Sequence, residues 1–536
     1  MENKESDKKE CERILHRHGK MQVTRQVTEA TWQEIMENCV PRKGDILIQL
    51  TPGDKRGNEL FDSTAITSLQ LLTGALHSML TNQTTRFFDL VFGDPYLDDD
   101  DEVQRWLQIV ANKMYAVING SNFQTEVHEL YLDECSIGTA CMFIGEHEDR
   151  VVHFNARSMK EIYCKENNLG LIDIVHREFK WDIRQIIQEF GEDSISENMR
   201  RLYKSGNDDE FCILHAVEPE SDSGKYFGFK SIYLLKEEKH ILNRKGFKEF
   251  PFVVPRWTKT TGETYGRGPG GDVLPDVKMV NKMMEDMIKA ANKNLDPSMA
   301  VVDDGVIGKV RLTPGGLTVV RAGLEDPIRP LIPGGIRMEF TDRLIESVQA
   351  KIRAGFYVDQ LQLNNGPQMT ATEVNQRTEE KLRLMGPVLG RQHFEFLRPL
   401  IERVFGIMVR KGLIPEAPEK ISGKRFDVKY SSLIARAQRM NDAGNLTRAI
   451  AAASPIINAI PSTLDNINGD RAVRDIFEKH GVEQKVMNDT NEMKTIRDAK
   501  AKVQEEAVKQ QNESHMADVA GKTMPGVAQL QQAVSE

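Results

Sequence analysis

Long hydrophobic runs are missing from this 536-residue chain. Nothing approaches the roughly 18 apolar residues that a membrane-spanning helix requires. The most apolar window, Ala449–Ile460, is broken by Pro455, so no transmembrane helix is expected. The opening residues, MENKESDKKE, are charged and have no apolar core, so no secretory signal is expected either. Cysteine is scarce. Cys11, Cys39, Cys135, Cys141, Cys164 and Cys212 all fall in the first half, and none forms a C-x-x-C pair. Zinc usually takes closely spaced ligand pairs, so the expectation is reduced, unpaired thiols in a cytosolic setting. A basic excess is also absent: 71 Lys+Arg against 80 Asp+Glu give −9 and a pI near 5.9. Such a balance argues against a protein that grips DNA tightly along its whole surface.

The familiar catalytic patterns are lacking as well. H-E-x-x-H and G-x-S-x-G do not occur, and His128-Glu129 and His147-Glu148 stand isolated. The run Gly266-Arg267-Gly268-Pro269-Gly270-Gly271 resembles a phosphate loop only in outline. A Walker A loop ends in Gly-Lys-Ser/Thr, whereas this one runs into Asp272, a carboxylate where an anion would sit. Neither a cofactor nor a metal is expected, and the glycines read as a hinge between domains. Asp98 to Glu102 lack the Gly and distal Glu of a calcium loop and read instead as the acidic first turn of a helix.

What the chain does have is an ordinary globular balance, 40% hydrophobic and 28% charged, over a length that suggests about three or four domains. Asp62 is a candidate N-cap for a helix bearing Ile66, Leu69, Leu72, Leu76 and Leu80. Between 123 and 260 short β-like runs (Thr139–Ile144, Val151–Phe154, Leu171–Phe179, Phe211–Val217, Ser231–Leu235) alternate with turns, which predicts an α+β region. Phe250 to Thr258 reads as a buried strand. The Gly-rich element follows, then a helix from Asp272 to Asn294, about 35 Å long at 1.5 Å per residue. Val273, Val277, Val280, Met284, Met287 and Ala291 share its face, and Met279 and Met283 read as packing residues. Pro275 is assigned to its first turn.

A Gly/Pro-rich β excursion comes next, then a second helix with Phe340, Leu344, Val348 and Ile352 stacked. Two helices flanking a small β excursion predict a protruding hairpin-like module. Beyond it lies a polar loop, Tyr357–Met369, then the capping box Thr370-Ala371-Thr372-Glu373 and a long helical stretch that Pro387 and Pro399 should divide. Gly412 and Pro415 should end that stretch. Residues 431–510 read as helical, with Asp470 capping Asp470–His480, and 511–536 as a mobile tail.

Taken in order, FPFVVPRWTKTTGETYGRGPGGD, the Met-rich helix, the β excursion, the second helix, the polar loop and MTATEV resemble the portal (head-to-tail connector) family of short-tailed, podovirus-type bacteriophages. The resemblance runs from about Phe61 to about Lys500 and is most specific at Pro255-Arg256-Trp257, Tyr265–Pro269 and Met369–Val374. It implies an α+β portal fold divided as follows: leader 1–60, wing 61–265, hinge and first stem helix 266–296, clip 297–338, second stem helix 339–356, channel loop 357–369, wing helices 370–430 and crown 431–510.

It further implies a homo-oligomeric, dodecameric ring at one capsid vertex. Double-stranded DNA would pass through without sequence preference during packaging and ejection. Implied partners are the terminase large subunit, tail adaptor and nozzle proteins, and scaffolding and major capsid proteins, with no membrane. Gln360, Gln362, Asn364, Asn365 and Gln368 would line the channel loop, and their uncharged amides suit a conduit that must let phosphates slide. Arg343, Lys351 and Arg353 would face the bore, or else pair between subunits or at i,i+4 spacing, as Glu339 with Arg343, and Arg311, Arg321 and Arg329 would lie on the clip. Gly266, Gly268, Pro269 and Gly270 would be the hinge. Between Lys309 and Arg353, eight basic residues stand against five acidic ones, a local basic excess in an acidic chain. The competing readings are a nucleic-acid-processing enzyme with an unrecognised site and a non-ring structural adaptor.

Overall fold

The computed structural model describes residues 2–48, 51, 53–57, 59–98, 100–206, 209–220, 228–295, 299–301, 328–330, 338–361, 386–421, 427–430, 433–460, 465, 467–479, 486–487 and 492–509. The chain forms two compact units, Met1–Phe88 with Ala111–Pro415 and Asp89–Val110 with Glu416–Glu536.

A five-stranded antiparallel meander centres the first unit: β4 (Ile162–Glu166), β5 (Ile172–Asp182), β6 (Glu210–Pro219), β7 (Phe229–Leu235) and β8 (His240–Phe247), paired in that order. Successive strand side chains point to opposite faces, so adjacent Ile213 and Leu214 can both be fully buried only if both faces are covered. On one face Phe179, Ile213, Leu235 and Leu242 pack with Ile183 and Ile186 of α6 (Ile183–Phe190) and Met199 of α7 (Glu197–Lys204). A capping box starts α6: Asp182 accepts from the Gln185 N–H at 2.7 Å, and Gln185 accepts from the Asp182 N–H at 3.1 Å. On the other face Leu214, Ala216, Ile232 and Leu234 meet Cys11 and Ile14. Each such buried aliphatic contributes roughly 1.5–3 kcal/mol.

Cys11 and Ile14 belong to α1 (Glu2–Cys39), a 38-residue helix. This segment reads from sequence as a charged leader, and the structure makes it part of the core. Its buried positions, Cys11, Ile14, His18, Met21, Arg25, Trp32, Gln33, Ile35, Met36 and Cys39, follow a helical stripe in which three rungs are polar. Arg25 donates from Nη1 to the carbonyls of Met159 (2.8 Å), Lys160 (3.1 Å) and Ile162 (2.7 Å), and lies 3.6 Å over the Tyr163 ring. His18 reaches Glu178 at 2.9 Å, and that carboxylate also accepts from Gln22 at 3.0 Å, Lys236 at 2.6 Å and Cys212 at 3.2 Å. Burial alone would raise the Glu178 pKa. The hydrogen bonds from His18 and Lys236 outweigh it and hold the carboxyl well below the usual range.

A smaller sheet has the order β3–β2–β9, with β2 (Cys141–His147) and β3 (Val151–Arg157) forming a hairpin. His147 Nδ1 accepts from the Asp149 and Arg150 N–H groups in its turn, so this histidine is structural. The strand read over Phe250–Thr258 shrinks to β9 (Phe252–Val253), because Pro251 and Pro255 cannot donate to a ladder. Its continuation makes single bridges, Thr139 with Arg256 and Thr258 with Arg267.

The remaining helices of this unit include α2 (Thr64–Leu80), α5 (Phe123–Ile137), α8 (Pro269–Leu295), α9 (Met338–Gly355), α10 (Val358–Leu361), α11 (Gly386–Gln392) and α12 (Arg398–Arg410). Between α11 and α12 the residues His393–Leu397 form a π-turn. Pro399 lacks the N–H that a regular helix would offer there, so the stretch divides where the proline predicts. Gly412, at φ 67°, closes α12. Asp62 accepts from the Thr64 N–H at 3.1 Å and so serves the start of α2 from one residue outside Ser63, the N-cap.

In the second unit Asp100 accepts from the Glu102 and Val103 N–H groups at the start of α4 (Asp101–Asn119), the first-turn role that the acidic run predicts. The short helix α3 (Pro95–Asp98) precedes it, and β1 (Phe88–Val91) pairs with β12 (Asp427–Tyr430). Helices α13 (Leu433–Ala459) and α14 (Gly469–Lys479) and a helix over 492–509 follow. The cap of α14 is Asn468, which accepts from the Arg471 N–H at 3.1 Å. Asp470, the expected cap, binds Arg497 instead, at 2.7 Å to Nη1. All six cysteines are free thiols, five of them buried.

Candidate functional site

Helices α8 and α9 pack against one another, and strands β10 (Met299–Val301) and β11 (Ile328–Pro330) pair antiparallel between them, with Ala300 opposite Arg329. This is the hairpin-like module that the sequence predicts. It begins three residues earlier than expected, at Pro269, so Pro275 lies in the second turn of α8. Twenty-seven residues make α8 about 40 Å long.

Its first half is rooted in the core: Val273, Leu274, Val277 and Val280 are buried. Its second half is less covered, with Met283, Met284 and Met287 half-buried and Ile288 42% exposed, and Met279, just before Val280, is 42% exposed as well. Along that half Glu285 is pulled down to about 2 by hydrogen bonds from Lys289 and Lys282. On α9 the buried residues are Ile345, Val348 and Ile352. Leu344, expected in the stack, is 45% exposed, one position off the seam.

Polar ties fix the root. The Asn281 carbonyl oxygen accepts from the Phe61 N–H at 2.6 Å and the Asp62 N–H at 3.3 Å, and its amide donates to the Glu59 carbonyl at 2.9 Å. Gln349 of α9 donates to Asp62 at 2.8 Å, so one carboxylate joins the start of α2 to α9. At the end of α9, Gly355 lies so close to Val273 that a Cβ there would collide with it.

The glycines before α8 form a close backbone crossing inside the first unit, which corrects their reading as a hinge between domains. A Cβ on Gly266 would overlap the Gly138 carbonyl and lie 2.8 Å from the Thr258 carbonyl. One on Gly268 would lie 2.7 Å from Gly138 N and 2.8 Å from the Glu134 carbonyl, and one on Gly270 2.5 Å from the Ser136 carbonyl. Pro269 opens the helix. These glycines face carbonyl oxygens, the wrong polarity for a phosphate cradle.

The two motifs singled out before α8 act as braces here. Arg256, 1% exposed, donates to Glu395 at 2.8 and 2.9 Å, to Gly170 O at 2.9 Å and to Thr264 O at 3.1 Å, and also pairs with Glu166. Tyr265 accepts from the Cys164 N–H at 3.0 Å and sits edge-on to Trp32 at 5.1 Å. Sequence reasoning flagged these residues without finding their partners, because Glu166 and Glu395 stand 90 and 139 positions away.

Arg343, Lys351 and Arg353 are all exposed on α9, away from the buried seam, and none makes an ion pair with a side chain among the described residues. Arg329 lies in β11. Gln360 is half-buried in α10. Gln362, Asn364, Asn365, Gln368, Arg311 and Arg321 lie outside the described residues, as do the Thr370–Glu373 capping box and the tail from 511. No helix among the described residues is long and apolar enough to cross a membrane.

The family model described as bacteriophage head to tail connecting protein matches residues 11–487. The match begins at Cys11, fifty residues before the similarity visible by eye, and takes in most of α1. The probable portal protein of Bordetella phage BPP-1 is 29% identical over 530 residues, covering 95% of this chain and 94% of that protein. The portal protein of Salmonella phage epsilon15 is 28% identical over 511 residues (92% and 91%). That of Enterobacteria phage T3 is 20% identical over 388 residues (68% and 67%). Among solved structures, a chain from the virion of a native gene transfer agent particle superposes with a TM-score of 0.38 and 10% identity, covering 78% of this chain and 95% of that one.

Proposed function

Because the chain belongs to the family of bacteriophage head to tail connecting proteins, we propose that copies of it close into a ring at one capsid vertex, through which double-stranded DNA enters and leaves the head. The role is structural rather than enzymatic. In this reading α8 and α9 are the stem, the β10–β11 region the clip, the sheet unit with α11 and α12 the wing, and the C-terminal helices the crown. The ring would be a dodecamer. The terminase large subunit and later the tail adaptor and nozzle would dock on the clip, where Arg311, Arg321 and Arg329 offer basic contacts, while scaffolding and major capsid proteins would hold the wing.

The observation that carries the ring is the apolar surface left open on α8 from Met279 onward. A helix that leaves Met279 and Ile288 exposed beside half-buried methionines has apolar surface for a neighbouring copy, and head-to-tail packing that closes gives a ring. The passage of DNA is assigned to the segment 357–369, with Gln360 in α10 and Gln362, Asn364, Asn365 and Gln368 beyond it, and to the exposed cations Arg343, Lys351 and Arg353.

Charge reversal tests the last point. With Arg343→Glu, Lys351→Glu and Arg353→Glu combined, assembled heads should package less DNA, and the deficit should deepen as salt is lowered, because a repelling ring is screened least there. Normal packaging by rings carrying all three changes would remove these residues from the bore.

A further inference from the structure

We propose that Glu134 is held as a neutral carboxylic acid in the folded protein and forms a two-way hydrogen-bonded pair with Gln392, a proton-dependent latch that pins the end of α11 onto α5. The latch goes beyond the ring reading and does not rest on it.

Two orphaned oxygens point to the proton. Gln392 donates from Nε2 to Glu134 Oε1, and both side chains are fully buried. The other oxygens of the pair, Glu134 Oε2 and Gln392 Oε1, are each buried without a hydrogen-bond partner among the described residues. If Glu134 were ionised, both would be acceptors with no donor, an arrangement that buried polar atoms avoid. A proton on Oε2, donated to Gln392 Oε1, satisfies both atoms at once and makes the bonds reciprocal.

The charges around the pair agree. On its own helix Glu134 is followed by Cys135 and preceded by Asp133, which is already taken by Lys43 at 2.5 Å. From the π-turn comes Glu395, whose negative charge is held by Arg256 and Arg391 and still opposes ionisation of Glu134. No cation among the described residues is a principal influence on Glu134. Burial is the largest influence and pushes its carboxyl up to about 8, with the Gln392 hydrogen bond opposing and Glu395 reinforcing.

The position makes the pair a latch. Gln392 is the last residue of α11, directly before the π-turn, whose own Glu395 grips Arg256. Slipping that turn by one residue to regular α-helix would carry Gln392 about 100° around the helix axis, away from Glu134. The folded pKa is raised, so the folded state keeps a proton that the unfolded chain releases. The latch therefore contributes fully below the ordinary carboxyl range and is lost as pH rises through about 8.

The test uses the full chain uniformly labelled with 13C-glutamate. At neutral pH its infrared spectrum should contain a glutamic acid carbonyl band that shifts with the label and fades as pH passes through about 8. Glu134→Gln, whose amide supplies a permanent donor to Gln392, should lack the band and should flatten the fall in melting temperature that the wild-type chain shows between about pH 5 and 8. Gln392→Leu should melt below wild type across that range. A wild-type spectrum without a labelled acid band overturns the proposal even if no variant folds. A Glu134→Gln protein whose stability is as pH-dependent as wild type overturns it as well.

Discussion

Replacing Arg256 with alanine should lower the unfolding free energy by about 3–5 kcal/mol, the usual cost of stranding buried charges. Arg256 is 1% exposed and binds two carboxylates and two carbonyls from three separate stretches of chain, at Glu166 and Gly170, at Thr264 and at Glu395. Removing it leaves Glu395, itself 8% exposed, beside uncovered carbonyl oxygens. Lysine should recover little of the loss, because one ammonium cannot present the planar fork that reaches both carboxylates. Arg267, eleven residues on, is the control. Its pair with Glu263 is between exposed side chains, and Arg267→Ala should cost under about 1 kcal/mol. Urea denaturation of both variants decides the matter. Equal shifts would mean that the buried network contributes no more than a surface pair.

The second large effect is at Gly266. Alanine there places a methyl group into the Gly138 carbonyl and within 2.8 Å of the Thr258 carbonyl, both backbone atoms that cannot rotate aside. Overpacking of this kind costs about 1–3 kcal/mol or more, and the strain acts at the buried root of α8, just before the helix begins. Gly266→Ala should therefore unfold early and assemble poorly. Gly19, inside α1 with open space around its Cα, is the opposite case: alanine should stabilise that helix by about 0.5–1 kcal/mol. The pair of variants, followed by thermal melting, separates close packing from general loss of glycine freedom. If Gly266→Ala matched Gly19→Ala, the crossing would not be as tight as its geometry indicates.

The reading from sequence succeeded where a single periodicity governs a segment. The apolar face of α8 follows an unbroken helical spacing, and Val273, Val277 and Val280 are the residues that the core takes. On α9 the same reasoning placed Leu344 in the seam, but adjacent Ile345 is there, because two neighbouring aliphatics fit the stripe almost equally well and only the partner helix chooses. The N-terminal helix was invisible because its buried stripe passes through His18 and Arg25. Those rungs are satisfied by Glu178 and by the carbonyls of Met159, Lys160 and Ile162, groups more than a hundred residues away. The glycines near Gly266 were conspicuous, yet their reason, Gly138, lies in another helix end that no local pattern connects to them. Of the candidate site, the α9 cations were legible as a local excess of charge. What that charge faces depends on neighbouring copies, which a single chain's pattern does not encode.

The chain's acidic balance also takes on a definite sense. At −9 overall, with Arg343, Lys351 and Arg353 exposed on one helix, it fits the proposal that the ring touches duplex DNA lightly over a small area.

Electron cryomicroscopy of the purified full-length chain tests the central claim most directly. A closed ring with α8 and α9 of successive copies packed around a central hole wide enough for duplex DNA is the predicted result. A population of monomers, or of closed assemblies with no axial opening, would contradict it.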